Sequence, residues 1–377
     1  MQEQGVKQPV LGSGVTAVVT AFNAERYLSR CIDSILAQSH HGVQILIVDD
    51  HSSDRTTAVV GAYGDRVSLI ALPANRGPAV GRTTGLMAVQ TEYVTFLDAD
   101  DYWHPAFVET TIQFMQRYPE VVAVSTGNRK KDWNGREYWR PALDASDRAY
   151  YGSDGAVCPN FYEFWAKYNA VLTGTVMMRT ETARQTGGQR EDLRLTQDLE
   201  FWGYLATFGR WGFIPQPLFV TDLRVLTPKE RLWKFQRRYT FFRDLTVASW
   251  CRRISPRLHD EASRRAFERF IGHIATEITL ANAYTFRFAR SYQLARQWRS
   301  QLDRGLGSVL RYGSCGGPLL WPFVCLALRA REVAKSYLRP VRMGAARQLA
   351  RCHEIVHVSE ARPHSRRADA RPIAIDD

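Results

Sequence analysis

The 377-residue sequence contains six cysteines (Cys31, Cys158, Cys251, Cys315, Cys325 and Cys352) but no C-x-x-C pair and no framework spacing. That excludes a disulfide scaffold and fits buried thiols in a reducing compartment, so the cytoplasm is the expected location. Residues Met1 to Gly14 are polar and lack an apolar stretch, so no secretory signal is expected. Long apolar runs are also missing. The uncharged run Tyr312 to Leu328, as long as any in the chain, has 17 residues and is broken by Gly313, Gly316, Gly317, Pro318 and Pro322. A spanning helix needs about 20 apolar residues, which sets a transmembrane reading aside and leaves a peripheral, interfacial one open. Acids are scarce late in the chain. Met1–Asp222 holds 20 basic and 25 acidic residues, whereas Leu223–Asp377 holds 30 and 13. Such asymmetry predicts different partners for the two parts.

Apolar residues nevertheless make up 45% of the chain, enough for a globular core. The β-branched runs Val15–Thr20, Val43–Val48, Val67–Leu72, Tyr93–Leu97 and Val121–Ser125 read as buried strands. Leu28, Cys31, Ile32, Ile35 and Leu36 follow helical spacing after a candidate cap at Asn23, and Pro78 and Pro105 sit where helices can begin. The alternation predicts an α/β fold with a mostly parallel sheet and helices on both faces. Gly127–Asn160 reads as a long loop or lid, Val171–Met178 as a strand, Gly187–Gly188 as a turn, and a helix is expected from about Asp198. Past Asp222 the pattern becomes helical and basic. Thr227-Pro228-Lys229-Glu230 has the form of a capping box, and Phe267, Phe270, Ile271, Ile274, Ile278 and Ala281 mark one helix face. The expected division is 1–222, a basic helical region 223–358, and a disordered tail 359–377.

Acids stand where strands end. Asp49 and Asp50 follow one run, and Asp98, Asp100 and Asp101 follow another. In open α/β sheets the carboxyl ends of strands line the ligand crevice. Asp98-Ala99-Asp100 would place two carboxylates on one side, suiting a hard divalent cation, Mg²⁺ or Mn²⁺, that keeps positions open for phosphates.

The segments Val18-Val19-Thr20-Ala21-Phe22-Asn23-Ala24-Glu25, Asp49-Asp50-His51-Ser52-Ser53-Asp54-Arg55-Thr56, Asn75-Arg76-Gly77 with Arg82 and Gly85, Phe96-Leu97-Asp98-Ala99-Asp100-Asp101, and Gln197-Asp198-Leu199-Glu200-Phe201-Trp202 occur in order. Together they resemble a family 2 glycosyltransferase of the GT-A, Rossmann-like nucleotide-sugar fold, over 222 of 377 residues. The resemblance implies an inverting transferase that moves a sugar from a nucleoside diphosphate, foremost UDP, to a hydroxyl acceptor such as a glycan, a lipid-linked acceptor or a cell-surface polysaccharide precursor. It implies that Thr20 and Phe22 line the base pocket, Asp50 reads the uracil edge, and Arg82 and Asp98 sit near the nucleotide. Asp98 and Asp100 would hold the metal–diphosphate, with Asp100 the more direct ligand, and Asp198 would be the catalytic base. Glu200 and Trp202 are secondary candidates for acceptor contact. The sequence departs from the pattern at Thr20, where proline is usual, and at Gln197, where an acid is usual. A late histidine is also absent from Thr221–Pro228.

Other readings stay open. The Phe96–Asp100 segment also resembles the aspartyl motif of dehalogenase-like phosphatases, but Tyr102 stands where that family wants Thr or Val. His353-Glu354-Ile355-Val356-His357 matches a zinc-hydrolase pattern, and a non-catalytic nucleotide-sugar module docked on a membrane is a further alternative. In the basic region no nucleic-acid motif accompanies the arginines, so nucleic acid is not expected as a partner. Leu319–Leu328, followed by Arg329 and Arg331, suits either insertion into an anionic membrane surface or a core helix.

Overall fold

A computed structural model describes residues 12–132, 134–193, 195–225, 227, 239–242, 245, 247–302 and 305–331. The expected helix start at Pro228, the zinc-like pattern at His353 and the tail from Ser359 lie outside these residues.

Ten strands form one sheet. They are β1 (Gly12–Ala21), β2 (Gln44–Asp49), β3 (Ser68–Ala71), β4 (Thr91–Asp98), β5 (Tyr102–Trp103), β6 (Val121–Lys131), β7 (Glu137–Arg140), β8 (Ala156–Val157), β9 (Val176–Arg179) and β10 (Arg210–Asp222). Their order is β3-β2-β1-β4-β9-β6-β10-β5, with β7 on β6 and β8 on β10. The β3-β2-β1-β4 half is parallel throughout. β9 enters antiparallel between β4 and β6, and β6 then pairs in parallel with β10.

Burial on both faces explains why the β1, β2 and β4 runs become strands, whereas β3, expected to be buried, is a largely exposed edge strand. Along β1, Val15, Ala17 and Val19 join one core, whereas Val18 joins the other. Helix α1 (Leu28–Leu36) covers the first face through Leu28, Cys31, Ile32 and Ile35. Helix α3 (Pro78–Ala88) covers the second, starting at Pro78 as expected. Its Gly85 permits the close approach: a Cβ there would lie 2.3 Å from Val18 Cγ1.

The polar stretch after Gly127 is more regular than expected. β6 continues to Lys131 and pairs with β7 as a hairpin, and α5 (Ala145–Tyr151) and β8 follow. Strand β10, 13 residues long, is absent from the sequence reading because Pro215 and Pro217 interrupt its apolar pattern. The structure accommodates them with register shifts between Ile214 and Pro217 and between Pro217 and Phe219, as prolines within sheets require.

The C-terminal helices do not stand apart. Helix α8 (Gln197–Leu205), α9 (Ala248–Ile254) and α10 (Glu261–Tyr284) share one core with the sheet, where the rings of Trp165 and Phe270 stack with centroids 3.6 Å apart. Beyond them, α11 (Phe288–Gln297), α12 (Leu306–Gly313) and a helix over 321–331 (α13) enclose a smaller core of Leu302, Leu310, Trp321, Cys325 and Leu328.

Candidate active site

The parallel half of the sheet ends its strands in a row of polar groups. Register places Thr20 beside Asp98 across β1–β4, and Ala21 beside Asp49 across β1–β2. Just past β1, the loop over Phe22–Tyr27 is knitted to the loop after β2. Ser53 N donates to Asn23 Oδ1 (2.9 Å), Asn23 N to Ser52 Oγ (2.9 Å) and Ala24 N to Thr56 Oγ1 (2.8 Å). Asn23 and His51 take the left-handed conformation these turns demand. Asn23 is therefore a loop clasp and not the cap of α1, whose N-cap is Tyr27. Phe22 projects from the loop, exposed, at the mouth of the cleft.

Asp50 is buried, and both its carboxylate oxygens accept backbone amides, from Arg76 N (2.7 Å) and Gly77 N (2.8 Å). It thereby holds the turn into α3. Buried Arg82, on α3, donates to Asp98 Oδ1 (2.5 Å) and Gln189 Oε1 (3.1 Å). Its Nε, together with Gln189 Nε2, is a buried donor with no hydrogen-bond partner among the described residues. Thr20 Oγ1 points at the same Asp98 oxygen at 3.4 Å. Asp100 sits half-buried one turn on, its carbonyl accepting from Arg30 Nη2 (2.8 Å).

Asp198 lies in the first turn of α8, where Leu199 N donates to its Oδ1 (2.9 Å). Burial pushes its carboxyl above the usual carboxylate range. The Arg82 guanidinium opposes that shift and the Asp98 carboxylate adds to it, so the three groups share one electrostatic neighbourhood. Thr196, just before the helix, has φ +70, a strained conformation for a β-branched residue and one often kept at functional sites.

Glu200 and Trp202 are placed elsewhere. Glu200 is fully buried and accepts two bonds of 3.0 Å from Arg253 on α9. Trp202 is enclosed by Phe96, Phe201 and Trp211. A side chain sealed in the core cannot touch an acceptor, so the expectation for Trp202 is corrected. Glu200 acts instead as an anchor for the basic region.

Four residues escaped the sequence reading. Gln189 follows the recognised Gly187–Gly188 turn and clamps it to α3, its N–H donating to Thr83 Oγ1 (3.0 Å). Beside it opens a recess of about 530 Å³ lined by Thr83, Gln189, Arg190, Glu191 and Arg253. Arg253 also donates to Thr186 O and lies 3.7 Å over the Tyr204 ring. Arg30 bridges Asp100 O to Asp222, 3.7 Å away, and Asp222 in turn pairs with Arg224 at 2.7 Å. That pairing holds the Asp222 carboxyl below the usual range. Partners so distant in sequence leave no local signal.

Among the described residues, no cluster of three or more His, Cys, Asp or Glu is arranged around a metal. The donor set still fits a hard cation. Asp98 and Asp100 supply oxygen ligands at a strand end, and Mg²⁺-type ions bound with phosphates need only one or two protein carboxylates.

The family model for Glycosyl transferase family 2 matches residues 16–183, which contain the ends of β1, β2 and β4. Over those residues the chain is similar to family 2 glycosyltransferases. The glycosyltransferase GlyA of Streptococcus pneumoniae serotype 4 is 25% identical over 224 residues, 59% of this chain and 30% of GlyA. The succinoglycan biosynthesis protein ExoO of Rhizobium meliloti is 45% identical over 92 residues, 24% of this chain and 26% of ExoO. EpsE of Bacillus subtilis is 26% identical over 66% of this chain and 86% of its own length. The alignment to GlyA thus spans under a third of that relative, and that to ExoO about a quarter. Among solved structures, S. aureus TarS superposes with a TM-score of 0.55 at 16% identity, covering 83% of this chain and 55% of that one. A TarS complex with UDP-GlcNAc gives 0.51 at 16% identity, covering 84% and 91%. Both show a shared fold.

Proposed function

We propose that the protein is an inverting glycosyltransferase that moves a sugar from a UDP-sugar to a hydroxyl of a glycan or lipid-linked acceptor in polysaccharide synthesis, with residues 1–222 as its catalytic unit. The observation that carries this reading is the grouping of Asp98, Arg82 and Asp198 in one electrostatic neighbourhood. A named glycosyltransferase and a succinoglycan biosynthesis protein among the relatives, and a structural neighbour solved with UDP-GlcNAc, support it.

In this reading Thr20 and Phe22 flank the base. Asp50 shapes the pocket by holding the 75–77 turn and offers its remaining lone pairs to uracil. Asp98 and Asp100 would hold Mn²⁺ or Mg²⁺, which, when bound, offsets the charge on the diphosphate. Arg82 fixes the Asp98 carboxylate and adds positive charge beside the same phosphates. Asp198 accepts the proton of the acceptor hydroxyl as that oxygen bonds to the anomeric carbon. The bond from that carbon to the phosphate oxygen breaks, and its electron pair leaves with the diphosphate. Attack opposite the leaving group inverts the centre. The raised pKa of Asp198 makes it a better proton acceptor than an exposed aspartate.

The histidine missing near Thr221–Pro228 has no equivalent among the described residues there, because Asp222 is committed to Arg224 and Arg30. A cation at Asp98 and Asp100 would depend on the diphosphate for its other ligands. Thermal-shift screening of a nucleotide-sugar panel with and without Mn²⁺ tests the reading, since a specific ligand raises the melting temperature by mass action. Stabilisation by UDP-sugars alone is expected. No shift with any nucleotide would overturn it.

A further inference from the structure

The helix over 321–331 presents apolar side chains in two directions. Trp321, 1% exposed, Cys325 and Leu328 recur at helical spacing and point into the small C-terminal core. On the other side, Phe323 is 69% and Leu326 46% exposed, continuing a ridge that starts with Leu319 at 86% and Leu320 at 56%. A surface helix of an ordinary soluble domain turns polar residues outward. Here none of the 17 residues from Tyr312 to Leu328 is charged.

Charge surrounds the ridge. Residues 285–331 contain eight arginines and a single acid, Asp303. Arg296, Arg299 and Arg311 line a recess of about 350 Å³. Arg299 Nη2 reaches Cys315 Sγ (3.0 Å), four residues before the ridge begins, and Arg331 is exposed at the end of the helix over 321–331. The combination identifies the occupant. A second copy of this surface would bring arginine against arginine. Residues 332–377 carry nine basic and six acidic side chains, so their charge does not complement it either. An anionic bilayer satisfies both parts, with headgroups meeting the guanidinium groups and acyl chains receiving the ridge.

We propose that the described residues of 296–302 and 305–331 form a docking surface for an anionic membrane, with Leu319, Leu320, Phe323 and Leu326 inserted and Arg296, Arg299 and Arg311 at the headgroups. Trp321 is a core residue and takes no part. No described helix is long and apolar enough to cross a membrane, so contact is from one side. The surface needs nothing from the cleft and stands whatever the cleft transfers.

Flotation of the full chain with phosphatidylcholine vesicles, with or without phosphatidylglycerol, tests it. Binding should need phosphatidylglycerol and fall as salt rises, since screening shortens the reach of charge to about 8 Å at physiological ionic strength. Arg296→Gln with Arg299→Gln should weaken low-salt binding on the order of 10-fold. Leu319→Ser with Phe323→Ser should remove the salt-resistant part with the melting temperature unchanged. Equal flotation on neutral vesicles, or none on anionic ones at low salt, would overturn the proposal. So would light scattering showing that Leu319→Ser with Phe323→Ser splits a dimer while vesicle binding persists.

Discussion

At the strand ends, charges are matched within the protein: Arg82 to Asp98, and the Asp50 carboxylate to two backbone amides. In residues 285–331 arginines such as Arg296, Arg299 and Arg331 are exposed, and so are large apolar side chains such as Leu319 and Phe323. The first arrangement holds charge in fixed positions at the cost of desolvation, the condition for electrostatic work on a bound ligand. The second leaves charge and apolar surface unsatisfied by the protein itself, the condition for meeting something larger. On the two proposals above, one fold separates chemistry from docking.

The sharpest way to break this comparison lies within one helix. Trp321→Ala should cost about 3–5 kcal/mol, the usual range for emptying a large aromatic site, whereas Phe323→Ala should change stability by no more than about 0.5 kcal/mol. Chemical denaturation of both variants measures the gap, and equal losses would mean that the ridge is core.

Next in size is the link between the two regions. Arg253→Ala leaves Glu200 buried without its partner and should destabilise by about 3 kcal/mol, with Glu200→Gln in the same chain restoring part of the loss. Full stability in the single variant would show that α9 and α8 hold together by apolar packing alone.

A similar free energy separates base from binding. Asp198→Asn should reduce sugar transfer by about 100-fold or more while nucleotide affinity persists. Its stability should also shift with pH in a defined sense. Because the folded pKa of Asp198 is raised, its ionised form destabilises the native state once pH climbs through that value. The variant should therefore match the wild type in acid and equal or exceed it at neutral pH, as melting curves across pH would record. For the same reason the acidic limb of the wild-type rate profile should lie above 3.8, the ordinary aspartate value.

Much of the sheet was legible because β1, β2, β4 and β6 are buried on both faces and so appear as unbroken β-branched runs ending in acids or polar residues. β10 was not, since Pro215 and Pro217 mimic a loop and are tolerated only through register shifts that depend on β6. At the site, Asp98 and Asp100 stood out as acids at a strand end, whereas Asp198 was singled out by the family resemblance alone. Arg30, Gln189 and Arg253 act through partners 53 or more residues away and had no local pattern to reveal them. Trp202 misled for the opposite reason. It follows an informative acid in sequence, but helical geometry turns it into the core.

The small end of the scale bears on the loops. Asn23→Ala removes the bond to Ser53 N without emptying any core and should cost roughly 1 kcal/mol, read as a modest fall in melting temperature.

The central claim is that the acids at the end of β4, Asp98 and Asp100, hold a nucleoside diphosphate through a divalent cation. Calorimetric titration of UDP into the wild type and Asp100→Ala, each with Mn²⁺ and with chelator, tests it most directly. The account predicts tight binding only for the wild type with Mn²⁺, with Asp100→Ala folded but reduced to the chelator level. Equal UDP affinity in all four titrations would contradict it.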